Sequence, residues 1–161
     1  MDKIQLLEEE QNRIQSEYEQ KSQELEVLLD KTSRVLSDIT HYTSIVSIDG
    51  STKKVFCRGT GYVVQYPDQQ DLNKIKQILV ALDEKEQLLE IINRSLKHRV
   101  NIFIGQEMAC SDVNSCSLVV SGYELKDGST GKMAVLGPTR MDYERVVSAL
   151  EYFSRVMKQI I

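Results

Sequence analysis

The chain has 161 residues with a net charge of −4, and 41% of it is hydrophobic and 27% charged. That length fits one ordinary domain, and the composition is globular, which excludes wholesale disorder. No run of about 18 apolar residues occurs, so no helical membrane span is expected. The acidic, polar start from Met1 to Asn12 is not a secretory signal. A surplus of acid argues against this chain itself gripping a phosphate backbone.

The charge is unevenly placed. Residues 1–39 hold 5 Lys/Arg against 10 Asp/Glu, and the remainder holds 15 against 14. From Lys3 to Ile39 there is neither Gly nor Pro, and strong helix formers dominate. Ile4, Leu7, Gln11, Ile14, Tyr18, Lys21, Leu25, Leu28, Thr32, Val35 and Ile39 recur at spacings of three and four, a heptad seam. From Lys3 to Ile39 such a helix is about 55 Å long at ~1.5 Å per residue, and residues 1–39 are expected to form this element. We expect its first half to be a stalk, for dimerisation or as an interdomain connector, and Leu25 to Ile39 to pack on the body. The body, residues 40–161, is expected to be one domain.

After Ile39 the period changes. Thr43–Asp49, Lys53–Arg58 and Thr60–Gln65 read as strands, with Gly50-Ser51 as a turn and Gly59 and Gly61 as a bend or bulge. Pro67-Asp68 opens a helix carrying Leu72, Ile75, Ile78, Leu79 and Leu82. A second follows over about Glu84–Leu96, with Asp83 as its expected N-cap. Arg99–Ile104, Ser117–Leu125 and Lys132–Leu136 are three more strands, the last pair joined by a turn at Asp127–Gly131 and the last ended by Gly137-Pro138. A closing helix runs from Met141 to Ile161 with Val146, Val147, Leu150, Phe153, Met157 and Ile160 on one face. The fold class expected is α+β: an antiparallel sheet with helices stacked on one face, preceded by a long N-terminal helix.

Signatures of chemistry are scarce. No nucleophile elbow, phosphate loop, paired-histidine motif or dinucleotide fingerprint occurs. Cys57, Cys110 and Cys116 are odd in number with no Cys-x-x-Cys spacing, which fits reduced thiols and a cytoplasmic setting. His41 and His98 are too few for a metal site, and no cofactor is expected. His41 is placed to meet the last carbonyls of the long helix, and His98 to complement a helix C-terminus within Lys97-His98-Arg99. With no convergent acid, base or nucleophile, an enzyme is not expected. Arg140, in a Gly-Pro-Thr-Arg turn, either pairs with an acid of its own domain or grips a carboxylate of a partner or ligand. Thr139 is the expected cap of the helix after it, with Asp142 in the first turn.

At this segment the chain resembles a known family. The run Gly137, Pro138, Thr139, Arg140, Met141, Asp142 and Tyr143, preceded by Leu136 and followed by Glu144-Arg145-Val146-Val147, is similar to the C-terminal signature of the HrcA-type heat-inducible transcription repressors. Asp30–Thr43, Leu79–Leu89, Ile102–Glu107 and Cys116–Val120 resemble that family in the same order. The resemblance implies a GAF-like core of a homodimeric repressor of chaperone operons. The repressor would act at an inverted-repeat operator and be kept active by a GroEL-type chaperonin. Operator DNA would be reached only through a winged-helix domain that this chain lacks, and the family's dimerisation insertion looks abridged between Ile48 and Arg58. The rival expectation is a GAF-like small-molecule sensor or protein-interaction module, with a pocket near Arg140 or Tyr62.

Overall fold

A computed structural model describes residues 8–49, 54–65, 72–84, 86–94, 99–105 and 115–160. The expected helix start before Glu8, the Gly50-Ser51 turn, the Pro67-Asp68 helix opening, Leu96, His98 and Cys110 lie outside the described residues. The first element is a single helix, α1 (Glu8–Thr40), about 50 Å long at ~1.5 Å per residue. It is followed by β1 (Thr43–Ile48), β2 (Val55–Arg58), α2 (Leu72–Glu84), α3 (Glu86–Ile92), β3 (Val100–Ile104), β4 (Cys116–Glu124), β5 (Thr130–Pro138) and α4 (Tyr143–Met157). The strands form one antiparallel sheet in the order β2-β1-β5-β4-β3. This is the α+β, GAF-like architecture expected, with the long helix leading into it.

Several details depart from expectation. First, the helices do not share one face. Ile45, Leu118, Val120, Ala134 and Leu136 point to a core under α2 and α3, whereas Val46, Val119, Met133 and Val135 point to a second core under α1 and α4. The cause is legible in the strands: Thr43–Ser47 and Cys116–Ser121 are buried at every position. A strand buried on both sides requires cover on both faces.

Second, Thr60–Gln65 is a 3₁₀ helix, not a strand. Gly59 adopts a φ of +80°, which turns the chain off edge strand β2 and drops Val63 into the α2/α3 core. A Cβ at Gly59 would collide with Ser37 Oγ and press on the Tyr42 carbonyl, so the close approach of α1 also demands glycine here. Third, Asp83 is an exposed residue in the last turn of α2 and does not cap α3. Pairing of β5 also continues past its expected end, placing Gly137 opposite Ser117 and Pro138 opposite Cys116. Proline has no N–H to donate, so Pro138 adds no donor bond to the ladder at this end of β5.

The contact face of α1 is shifted from the apolar seam. Leu29, Thr32, Ser33, Leu36, Ser37 and Thr40 are buried, while Ile39 is 40% exposed. Small hydroxyl residues let the helix lie close on β1 and β2, and each is satisfied locally. Ser33 Oγ lies 2.8 Å from Ser44 Oγ, and Ser44 Oγ also donates to the Ser33 carbonyl. Ser37 Oγ donates to the Tyr42 carbonyl at 2.7 Å. Apolar periodicity misses such a face because its members are serines. Two ion pairs flank it, Lys54 with Glu26 at 2.8 Å and Arg58 with Asp30 at 2.7 Å.

Candidate functional site: the joint at the end of the long helix

Where α1 ends, its backbone reverses through His41, which takes φ +60° and donates its N–H to the Ser37 carbonyl at 2.8 Å. This is a left-handed helix stop formed by a non-glycine residue. The backbone of His41 makes the stop, and its ring stands edge-on to Tyr62 at 5.9 Å. Tyr42 then lies beneath the β5–α4 turn. A Cβ on Gly137 would come within 2.8 Å of Met141 Cε and 3.1 Å of Tyr42 Cδ1, so a side chain here would make the Met141 tip and the Tyr42 ring give way.

The turn itself is closed by a short set of bonds. Met141, buried, donates its N–H to the Pro138 carbonyl at 2.9 Å. Asp142 is the N-cap of α4: its carboxylate accepts from Arg145 N–H at 3.2 Å, and its own N–H donates to the Tyr42 hydroxyl at 3.0 Å. The cap is therefore Asp142, not Thr139, because the chain needs Thr139 and Arg140 to round the corner before helical geometry begins. Tyr143 donates its hydroxyl proton to the Thr139 carbonyl at 2.5 Å and is hydrogen-bonded to Ser117 Oγ at 2.7 Å.

One further bond ties the turn back to the long helix. Arg145 donates from Nε and Nη2 to the Ile39 carbonyl, at 3.1 and 2.9 Å. The last carbonyls of a helix have no partner within it, and a cation there also complements the helix dipole. Arg140, the residue singled out from sequence, is exposed and forms no ion pair with a described residue. The guanidinium that works in this region is Arg145, five positions on. Sequence reasoning also passed over Tyr42 and Ser117, although each lay inside a stretch already noted as resembling the family. The joint gathers three such stretches at one point.

Chemically this is a mechanical site. Among the described residues no group of three His, Cys, Asp or Glu side chains is placed to hold a metal ion. Burial raises the thiol of Cys116, opposite Pro138, to about 11, which keeps it protonated and a poor nucleophile at neutral pH. The α2/α3 interior is filled by Ile78, Leu82, Leu88, Ile91, Ile92 and Leu118, each at most 2% exposed. A recess of about 230 Å³ opens beside Cys57, Thr60 and Leu79. A larger groove lies at the other end of the sheet, and neither opening is lined by Arg140 or Tyr62. No helix among the described residues is long and apolar enough to cross a membrane.

The described residues form a long helix clamped to a GAF-like α+β body, and that fold is the class to which the chain belongs. The fold has a solved counterpart: a crystal structure described only as a hypothetical protein superposes with a TM-score of 0.65 at 9% identity, covering 83% of this chain and 69% of that one. Residues 47–147 match the family described as HrcA protein C terminal domain. Curated relatives include the heat-inducible transcription repressors HrcA of Lachnoclostridium phytofermentans and Natranaerobius thermophilus. The first is 32% identical over 123 residues, spanning 74% of this chain and 36% of that protein. The second is 35% identical over 121 residues, spanning 75% and 32%. The chain belongs to the HrcA family, and it spans about a third of the length of these relatives.

Proposed function

We propose that this chain is the non-enzymatic regulatory core of a heat-inducible transcription repressor, working in the cytoplasm as a homodimer. Residues 1–39 would serve as the connector toward a DNA-binding head, and residues 40–161 as the body that sets the connector's direction. The observation that supports this most directly is the Arg145 fork on Ile39, together with Tyr42 under the signature turn. These contacts fix the angle at which α1 leaves the body. Gly137, Pro138, Thr139, Arg140, Met141, Asp142 and Tyr143 would then be the family signature because they build that joint.

A dimer binds two half-sites well only when both heads are held at the operator spacing. Loss of order at the joint would release that constraint without touching a base contact. A GroEL-type chaperonin, the partner that family membership brings, would act by restoring the ordered body. The filled α2/α3 interior speaks against the sensor alternative.

The test is thermal. A winged-helix head is joined ahead of residue 1, and operator binding is followed beside the melting of the body. Binding should fall in step with melting, and binding that persists well above it would refute the mechanism.

A further inference from the structure

At the end of the sheet away from the joint lies an open groove of about 580 Å³. Cations converge on it from both helical layers and from the sheet: Arg94 beyond α3, Arg99 just before β3, Arg155 in α4 and Lys158 just after it. All four are exposed, and none forms an ion pair with a described carboxylate. Arg94 and Arg155 lie instead over the rings of Phe103 and Tyr152, at 6.0 and 5.9 Å. Lys132 also lines the groove, but Asp49 neutralises it at 3.2 Å. Among the described residues, four cations without an ion pair therefore face one remaining acid, Glu124, in a chain whose net charge is −4.

The matching negative charge sits on the exposed half of α1. Residues 8–24 hold six acids and two bases, a balance equal to the net charge of the whole chain. Glu10, Glu17 and Glu24 recur every seven residues, so they line one face at intervals of about 10 Å. All three are exposed. Glu17 lies 3.5 Å from Arg13, and Glu24 accepts from Gln20 at 3.3 Å, contacts weak enough in water to be exchanged.

This arm leaves the body at the same end as the groove. Glu26 pairs with Lys54, whose carbonyl accepts from Ile48 N–H, next to Asp49 of the groove wall. No described side chain of α1 lines the groove, and a helix without Gly or Pro between residues 8 and 40 has no kink with which to turn back into it.

We propose that the acidic face of one copy's arm lies in the basic groove of a second copy, and reciprocally, closing a two-fold dimer. The inference rests on the dimeric reading above and names its contact. Two identical reciprocal contacts satisfy the symmetry of a closed dimer. Complementary charge sets their register and speeds association. Pairing the two arms with each other would instead set one acidic helix against another.

The experiment measures the mass of the full chain by light scattering at about 50 mM and about 500 mM salt. A dimer is expected at low salt, with a dissociation constant roughly tenfold higher at high salt. E10K/E17K/E24K, which alters only exposed positions, should yield monomers, as should R94E/R99E/R155E. Joining both sets in one chain should restore the dimer. A dimer that tightens with salt and is broken by Ile14→Glu would mean that the arms pair with each other, overturning the inference while the dimeric reading stands. A wild-type chain monomeric at both salts overturns both.

Discussion

The two halves of α1 are one helix made of similar residues, yet they belong to different structures. From Leu25 to Thr40 the helix is part of a core, with Leu29 and Leu36 fully buried against β1 and α4. From Glu8 to Glu24 every described side chain is exposed, including Ile14 at 44%. Helix propensity and the three–four spacing continue through both halves, so neither distinguishes them. What does is the partner: hydroxyl residues and two ion pairs on one half, solvent on the other. Helical stability in proteins comes mainly from packing of one face, and the packed half here anchors the unpacked one.

The largest expected effect separates the halves directly. Leu36→Ala should cost about 2–5 kcal/mol, because it opens a cavity beneath a fully buried position. Ile14→Ala on the arm should change stability by less than about 0.5 kcal/mol. Urea unfolding of both variants checks this, and equal losses would mean that the arm is packed in the isolated chain. Next in size is a pair of glycines within the same strip of sequence. Gly59→Ala forces a left-handed residue and a collision with Ser37, and should cost about 1–3 kcal/mol. Gly61→Ala meets nothing within 4 Å and should be close to neutral. Thermal melts of the two would show whether α1 truly presses on that turn.

Much of this was readable from the residues, and the failures have a common cause. The long helix, five of the six expected strands and the closing helix follow from periodicity, which reports local geometry. Periodicity does not report which face small polar residues occupy, so Ser33 and Ser37 were passed over in favour of Val35 and Ile39. Nor does it show that a glycine such as Gly59 is turning a chain away from a sheet, which left Thr60–Gln65 looking like a strand. At the joint, the signature run was visible, but the turn favoured Arg140 because it stands beside Gly137 and Pro138. The reach of Arg145 to Ile39 spans 106 positions in sequence, and nothing local announces it.

That substitution of one arginine for another sets the third prediction. Arg145→Ala removes two charge-assisted bonds from an exposed site and should cost about 1 kcal/mol. Arg140→Ala should lie within about 0.5 kcal/mol of wild type. The more telling readout is the angle of the arm, followed by distance measurements between spin labels on α1 and α4. Arg145→Ala should broaden that distribution and Arg140→Ala should not. A broadened distribution only in Arg140→Ala would mean that Arg140, and not Arg145, holds the joint.

The smallest effect compares two surface ion pairs, one on each half of the helix. Arg13 and Glu17 are neighbours on the arm at 3.5 Å, whereas Arg58 donates from Nε and Nη2 to both carboxylate oxygens of Asp30, at 2.8 and 2.7 Å, across helix and sheet. The bidentate bond from Arg58 holds the Asp30 carboxyl below its ordinary value of 3.8. A carboxylate whose folded value is depressed contributes stability above the unfolded value and loses it as pH falls through the folded one. Asp30→Asn should therefore melt slightly lower than wild type at neutral pH, by an amount that salt reduces, since the pair is solvent-exposed. The difference should shrink to nothing as the solution is acidified below the carboxylate range, because both proteins then present a neutral group to Arg58. Glu17→Gln should melt close to wild type at neutral pH, since an exposed neighbour pair within one helix has little to lose. A gap between Asp30→Asn and wild type that survives acidification would mean that Asp30 holds α1 to β2 by shape and hydrogen bonding, with its charge incidental.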